Sequence, residues 1–268
     1  MIRRLGALMA LVLVPTLAVG NATSPSHAAS GAAPSHTAPS HAASAASAAT
    51  RPAVIGYRVI GHSVQGRPIK AWHLGQPHLR GVRTVVLMAT MHGNERRVHL
   101  ILDSLRDGAP IKGVNMWVIP IANPDGYAHN TRKNARGVDL NRNFPRGWVH
   151  TTGHYASGPR PASEPETRAL MAFLAKVHPW RILSFHQPLH AVDTDNKVPA
   201  YSRRVARVLG LPATHVTCAG VCGGTMTQWY NHRFAGAGIT VEYGTTPPLH
   251  RMRVEAPREL LRLFGAHR

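Results

Sequence analysis

Polar residues with ligand or acid–base chemistry stand at the ends of several apolar runs in this chain. In Ala89-Thr90-Met91-His92-Gly93-Asn94-Glu95, an imidazole and a carboxylate are three residues apart. A neutral histidine nitrogen and a carboxylate oxygen both ligate zinc, and a catalytic zinc site needs one more protein ligand and an open position. A pair of this kind is also common as ordinary helix-surface polarity, so the rest of the chain has to decide. Ile182-Leu183-Ser184-Phe185-His186 closes a second apolar run on a histidine, and Ile239-Thr240-Val241-Glu242-Tyr243 places one acid among apolar neighbours. Burying a carboxylate is costly unless it has a partner or a task. A salt bridge to one of the many arginines satisfies that, and so does a chemical role. Between these runs lies Arg132-Lys133-Asn134-Ala135-Arg136-Gly137-Val138-Asp139-Leu140-Asn141-Arg142-Asn143-Phe144-Pro145. A guanidinium offers a planar fork of donors that suits a carboxylate, which Arg142 with Asn141 would grip. Arg132 would instead face a carbonyl on which negative charge grows. Lys133 and Arg136 read as basic surface. His99 lies deeper in its helix and takes no metal role. His190 is an alternative to His186, set apart from the strand end by Pro188.

The elements that would position these groups follow from hydrophobic period. Residues 79–90 read as a strand and 96–105 as a helix, so His92 and Glu95 sit at a strand-to-helix junction. Residues 54–74 read as a hairpin at a sheet edge. Asp107-Gly108-Ala109-Pro110 stops the first helix, 114–121 is a buried strand, and Asn123-Pro124-Asp125-Gly126 signals a turn. Ser163-Glu164-Pro165-Glu166 has the capping-box pattern, with Ser163 as N-cap and Glu166 reaching back, and both glutamates are structural. That helix ends near His178-Pro179. A strand at 182–186, a helix at 201–209, a strand at 238–244 and an amphipathic helix at 255–264 complete the series. Strands alternating with helices predict a single α/β domain over residues 51–268, with helices on both faces and function in the loops at strand ends.

The residues before that domain have a different composition. Arg3 and Arg4 precede an apolar stretch that ends in small residues, the layout of a signal peptide over residues 1–22. The apolar stretch is shorter than the roughly 20 residues that span a bilayer. Residues 23–50 are almost wholly Ala, Ser, Pro, His and Thr with little to bury, hence a disordered tether. The chain is therefore expected outside the cytoplasm, secreted or held in the periplasm or cell wall. Of 31 Lys and Arg, two precede residue 51, leaving 29 against 12 acids and a formal +17 on the domain. Such a surface favours anionic neighbours. No helix-turn-helix or zinc-finger spacing appears, so an anionic cell envelope is a better partner than nucleic acid. Cys218 and Cys222 are close enough for a local disulfide, which the spacing permits without establishing.

Together, His92-x-x-Glu95, the Arg132 to Pro145 loop, the Ser163 motif, His186 and Glu242 make the chain resemble the zinc carboxypeptidase family. The wording is similar to the branch that contains bacterial murein peptide amidases, and the likeness runs over roughly residues 56–244. The resemblance implies a mixed, mostly parallel eight-stranded sheet. It also implies one Zn²⁺ held by His92, Glu95 and His186, with Asp139 orienting His92. Glu242 and Arg132 would be the catalytic groups, and Asn141 and Arg142 the grip on a substrate carboxylate. The implied partner is a peptide with a free C-terminal carboxylate, cell-wall peptide included, and a monomer is expected. Two other readings are weighed: an N-acyl amino acid deacylase, disfavoured by the complete Asn141-Arg142-Asn143-Phe144-Pro145 run, and a wall-binding module without catalysis, disfavoured by the intact ligands. Asp193 and Asp195 either receive an ammonium group of the substrate or are solvated loop acids. The family's mobile tyrosine falls near Cys222 here, with Tyr230 as a substitute from further along.

Overall fold

The computed structural model describes residues 51–216 and 222–268. The signal segment, the tether and Cys218, with the disulfide expectation that depends on it, lie outside the described residues. An eight-stranded sheet runs in the order β1-β2-β4-β3-β5-β8-β6-β7. Its strands are β1 (Val54–His62), β2 (Pro68–Gly75), β3 (Thr84–Ala89), β4 (Asn115–Ile119), β5 (Arg181–His186), β6 (His190–Asp193), β7 (Ala213–Thr214) and β8 (Ala237–Tyr243). The centre, β4-β3-β5-β8, is parallel; β2 and β6 flank it antiparallel, β1 pairs antiparallel with β2, and β7 pairs parallel with β6.

The central strands read as unbroken apolar runs because both of their faces are covered. Val85, Leu87 and Ala89 of β3 pack to one side with helices α1 (His99–Arg106), α4 (Pro199–Val208) and α6 (Ala256–Leu263). Val86 and Met88 pack to the other with α3 (Pro165–Val177) and α5 (Met226–Arg233). In parallel strands every C-terminal end lies on the same edge of the sheet. The ends of β3, β5 and β8 are thus neighbours, and the register sets His186 directly opposite Glu242.

Several element boundaries differ from the sequence expectation. The strand expected from residue 79 begins at Thr84, because Val82 bonds back to Leu79 in a turn with Gly81 at positive φ. The helix expected from residue 96 begins at His99, since Arg96 and Leu100 first make tighter turns to Asn94 and Arg97. The turn at Asn123 opens a short helix, α2 (Pro124–His129), whose first turn is capped by the Asn123 side chain accepting from Gly126 N–H. Ser163 is not the N-cap of α3; Glu164 is. The Ser163 hydroxyl is taken up by Asn143 Nδ2 at 2.9 Å and Glu164 Oε1 at 2.7 Å. Glu166 accepts from Val64 N–H and Asn134 Nδ2 instead of reaching back, so both glutamates are structural in a different arrangement.

The loop that follows β4 is anchored by Asp125, fully buried in α2. Burial pushes its carboxyl up, but hydrogen bonds from Ser63 Oγ, Gln65 N–H and Arg67 outweigh this and hold it below the ordinary carboxylate range. A depressed folded-state pKa contributes stability above the unfolded value, and that contribution is lost as pH falls through the folded value. Asp125→Asn is therefore expected to lower unfolding free energy at pH 7 by about 1–3 kcal/mol. In urea titrations the gap between wild type and variant should narrow as pH drops below about 4. A gap that widens in acid would contradict this account.

Candidate active site

β3 delivers its polar cluster through a sharp exit. Thr90 takes φ of 55°, rare for a β-branched residue, and the next turn brings His92 and Glu95 back towards the strand ends. Met91 and Asn123 lace this turn to the end of β4 through Asn123 Nδ2 and the Met91 carbonyl. Gly93 abuts Gly126 so closely that an added Cβ would lie 1.9 Å from the Gly126 carbonyl carbon, which leaves room for no side chain at residue 93.

His92, Glu95 and His186 converge, each offering one ligand atom within 4.8 Å of the others. Both histidines present Nδ1 to the common point: His92 Nδ1 is 2.6 Å from Glu95 Oε1, and His186 Nδ1 is 3.0 Å from Glu95 Oε2. Their outer nitrogens are held in place. His92 Nε2 donates to Asp139 Oδ1 at 3.1 Å, and His186 Nε2 pairs with Ser184 Oγ at 2.9 Å. Such outer partners fix the ring orientation and the tautomer of a ligating histidine. All three residues are buried. Burial alone would lower the His92 pKa, but the charges of Glu95 and Asp139 raise it to about 9. This point therefore stabilises positive charge, whether carried by a proton or a metal ion. His99 is separate, paired with Asp103 at 2.6 Å, and His190 is exposed on β6 outside the cluster.

The other predicted groups line one cleft of about 350 Å³ with His92 and His186: Arg132, Asn141, Arg142 and Glu242. Glu242 Oε2 accepts from Leu189 N–H at 3.2 Å. Burial, reinforced by the charge of Glu95, lifts its carboxyl above the ordinary glutamate value against the opposing pull of His186. Asp139 is shared: it holds His92, and its Oδ2 receives Arg132 Nε at 2.9 Å and Nη2 at 2.8 Å. The remaining Arg132 nitrogen, Nη1, lies 3.3 Å from His92 Nδ1, at the rim of the ligand cluster.

Asn141 accepts from the Met226 N–H through Oδ1, which leaves its amide NH₂ as a donor. Arg142 is 6% exposed, has no carboxylate within ion-pair distance among the described residues, and its Nε has no partner. The Asp139 charge acts on Arg142 only from beyond ion-pair distance, and a buried guanidinium without a contacting carboxylate is costly, so this part of the cleft suits an anion.

These features meet a family model described as zinc carboxypeptidase, which matches residues 41–100 and 104–191, over half of the chain. The chain belongs to the zinc carboxypeptidase family. Murein peptide amidase A of Escherichia coli K12 is 34% identical over 123 residues, covering 40% of this chain and 50% of that protein. Human carboxypeptidase A6 is 35% identical over 92 residues, covering 26% of this chain and 21% of that one. The matched stretches thus span about half the length of the murein peptide amidases and about a fifth of the human carboxypeptidase. Among solved structures, the murein-tripeptide amidase of Escherichia coli O157 covers 82% of this chain and 96% of its own, with a TM-score of 0.65 at 24% identity. A metallo-carboxypeptidase from Burkholderia cenocepacia covers 84% and 67%, with a TM-score of 0.60 at 17% identity. At these identities the two structures establish the shared fold.

The zinc implied by the family fits the donor set here: two imidazole nitrogens and one carboxylate, with outer partners on both rings. Glu242 lies beyond the matched residues, and only the β5–β8 register brings it to the cluster.

Sequence reading missed two contributors. Ser184 was detectable in principle, since it stands two residues before His186 on the same strand face. Tyr155 had no such signal. It sits on a one-turn 3₁₀ helix (Gly153–Tyr155) in a long loop and faces both cleft arginines. Tyr230 is not available as a cleft residue: it is buried in the core, with its hydroxyl donating to the Pro179 carbonyl.

Proposed function

We propose that this chain is a zinc-dependent carboxypeptidase acting outside the cytoplasm, which removes the last residue of peptides ending in a free carboxylate, murein peptides among them. The observation that carries this reading is the unpaired, buried Arg142 beside the His92, Glu95 and His186 cluster. One terminal carboxylate on Arg142 and Asn141 would place the adjoining peptide bond near the cluster, and such positioning restricts cleavage to the terminal residue. A single zinc ion, held by those three side chains, would polarise a carbonyl and acidify water. Glu242 accepts the proton of the attacking water and returns it to the departing amine, a role that its lifted pKa suits. Arg132 Nη1 faces the oxygen on which negative charge develops, while Asp139 holds the rest of that guanidinium still.

Charge also points to the terminal side chain. Of the 12 acids, Glu166, Asp193 and Glu242 alone have no ion pair among the described residues. Glu166 is consumed by hydrogen bonds to Val64 and Asn134, and Glu242 is the base. Asp193 lines the cleft, its Oδ1 fixed by the N–H groups of Asp195 and Val216. In so basic a protein, an acid kept clear of every cation and turned into the cleft supports a substrate that brings its own ammonium, such as terminal lysine or diaminopimelate. Asp195 is exposed beside His215 and takes no part.

The test uses the zinc-loaded chain with peptides ending in lysine, diaminopimelate or alanine, including a tripeptide with a γ-D-glutamyl-diaminopimelate bond. Wild type should favour the cationic ends. Asp193→Asn should reduce that preference about 10–100-fold, the cost of losing one charged partner. Equal rates on all ends in wild type would remove Asp193 from specificity, and cleavage of none would remove the peptidase reading itself.

A further inference from the structure

Tyr155 is the only Phe, Tyr or Trp that lines the cleft among the described residues. Its ring centroid lies 5.0 Å from the Arg142 guanidinium carbon and 5.4 Å from that of Arg132. One ring face environment thus serves the two cations to which the proposed reaction gives different tasks. The turn that carries the ring is tied down from several directions. Thr151 Oγ1 donates to the Tyr155 carbonyl at 2.6 Å, and Lys133 Nζ reaches the Gly153 carbonyl. The Ala156 carbonyl accepts from Asp139 N–H at 2.8 Å, which links this turn to the residue that orients both His92 and Arg132.

Two guanidinium groups that share a cleft repel one another, and of the two only Arg132 makes an ion pair with a carboxylate among the described residues. Arg142 has none, and its side chain is held otherwise by one hydrogen bond, Nη1 to the Asn141 carbonyl at 2.8 Å. The negative π face of an aromatic ring attracts a cation lying within about 6 Å of its centroid. It does so without occupying N–H groups, so the Arg142 donors not bonded to the Asn141 carbonyl, and Arg132 Nη1, stay available to a ligand. A carboxylate partner in the same place would neutralise Arg142 and compete with the substrate.

We infer that Tyr155 is a positioning residue: its ring holds Arg142 in the orientation that receives a terminal carboxylate, and touches Arg132 beside it, without spending an N–H of either guanidinium. This rests on the carboxypeptidase reading above and adds to it a residue outside the metal and arginine set. The ring rather than the hydroxyl carries the effect, because no hydrogen bond of the hydroxyl fixes either arginine.

The experiment measures binding without turnover, in the zinc-loaded Glu242→Gln background. Calorimetry gives the Kd of acetyl-alanyl-lysine and of its C-terminal carboxamide for Glu242→Gln alone and combined with Tyr155→Leu or Tyr155→Phe. Leucine keeps apolar bulk and removes the π face; phenylalanine keeps the face. Tyr155→Leu should weaken binding of the acid about tenfold and leave the carboxamide within about twofold, while Tyr155→Phe keeps the affinity of its parent. Unchanged acid binding in Tyr155→Leu overturns the inference, and so does an equal loss in Leu and Phe, which would assign the effect to the hydroxyl. Loss of both ligands together in Tyr155→Leu, with a lowered Tm, also overturns it by making the role structural. If the Glu242→Gln parent itself binds acid and carboxamide alike, the carboxylate grip fails, a result distinct from failure at Tyr155.

Discussion

Glu242→Gln should lower kcat by about 10²–10⁴-fold, the usual worth of a positioned general base. Glutamine preserves the shape of the side chain, and its carbonyl oxygen still accepts from Leu189 N–H. It cannot take a proton from water. His92, Glu95 and His186 are untouched, so zinc content by elemental analysis should equal that of wild type, and KM should move little. Burial raises the pKa of Glu242 above the ordinary glutamate value, the direction that makes a carboxylate a stronger base. Turnover that survives the substitution would remove Glu242 from the reaction and leave its burial in β8 to be explained by structure alone.

The two cleft arginines should fail in different ways. Arg132→Ala removes a donor aimed at developing charge, and a loss of about 10²–10³-fold in kcat follows by analogy with other oxyanion-stabilising donors. Arg142→Ala removes the anion-binding cation, so the loss should fall mainly on KM, by about 10–100-fold. Steady-state kinetics on the same peptide separate the two. Because Arg132 shares Asp139 with His92, its variant must be compared at equal zinc occupancy. Identical profiles for both variants would contradict the division of labour proposed here.

Much of this site could be read from the chain because both histidine ligands and the proposed base stand at or just past the ends of apolar runs. His92, His186 and Glu242 are projected from the C-terminal ends of parallel strands, and a buried strand has a strong apolar signature. Which polar residues share a cleft then follows from topology. The failures share a different cause. Ser163 carries a helix-cap pattern, but Asn143, twenty residues earlier in the chain, claims its hydroxyl, and no local rule anticipates such a competitor. Likewise the turn signal at Asn123 was sound, yet it capped a helix whose Asp125 is held by the β1–β2 turn. Tyr155 belongs to a loop without period, and its position depends on distant anchors at Lys133 and Asp139. Tyr230 shows the reverse error: an aromatic near the right sequence position whose helix, α5, turns it into the core. That Arg142 and Asp193 make no ion pair among the described residues is visible only once the pairings are known, although it is this that speaks most directly about substrate.

The central claim is that one zinc ion, held by His92, Glu95 and His186, enables removal of a single terminal residue. Zinc titration into the chelator-stripped chain, with mass spectrometry of acetyl-alanyl-lysine incubated at each step, tests it directly. The account predicts no cleavage without metal, a rate that rises in proportion to zinc and levels off at one equivalent, and free lysine as the released product. Full turnover in the stripped chain, or a rate that stays at zero through and beyond one equivalent of bound zinc, would contradict it.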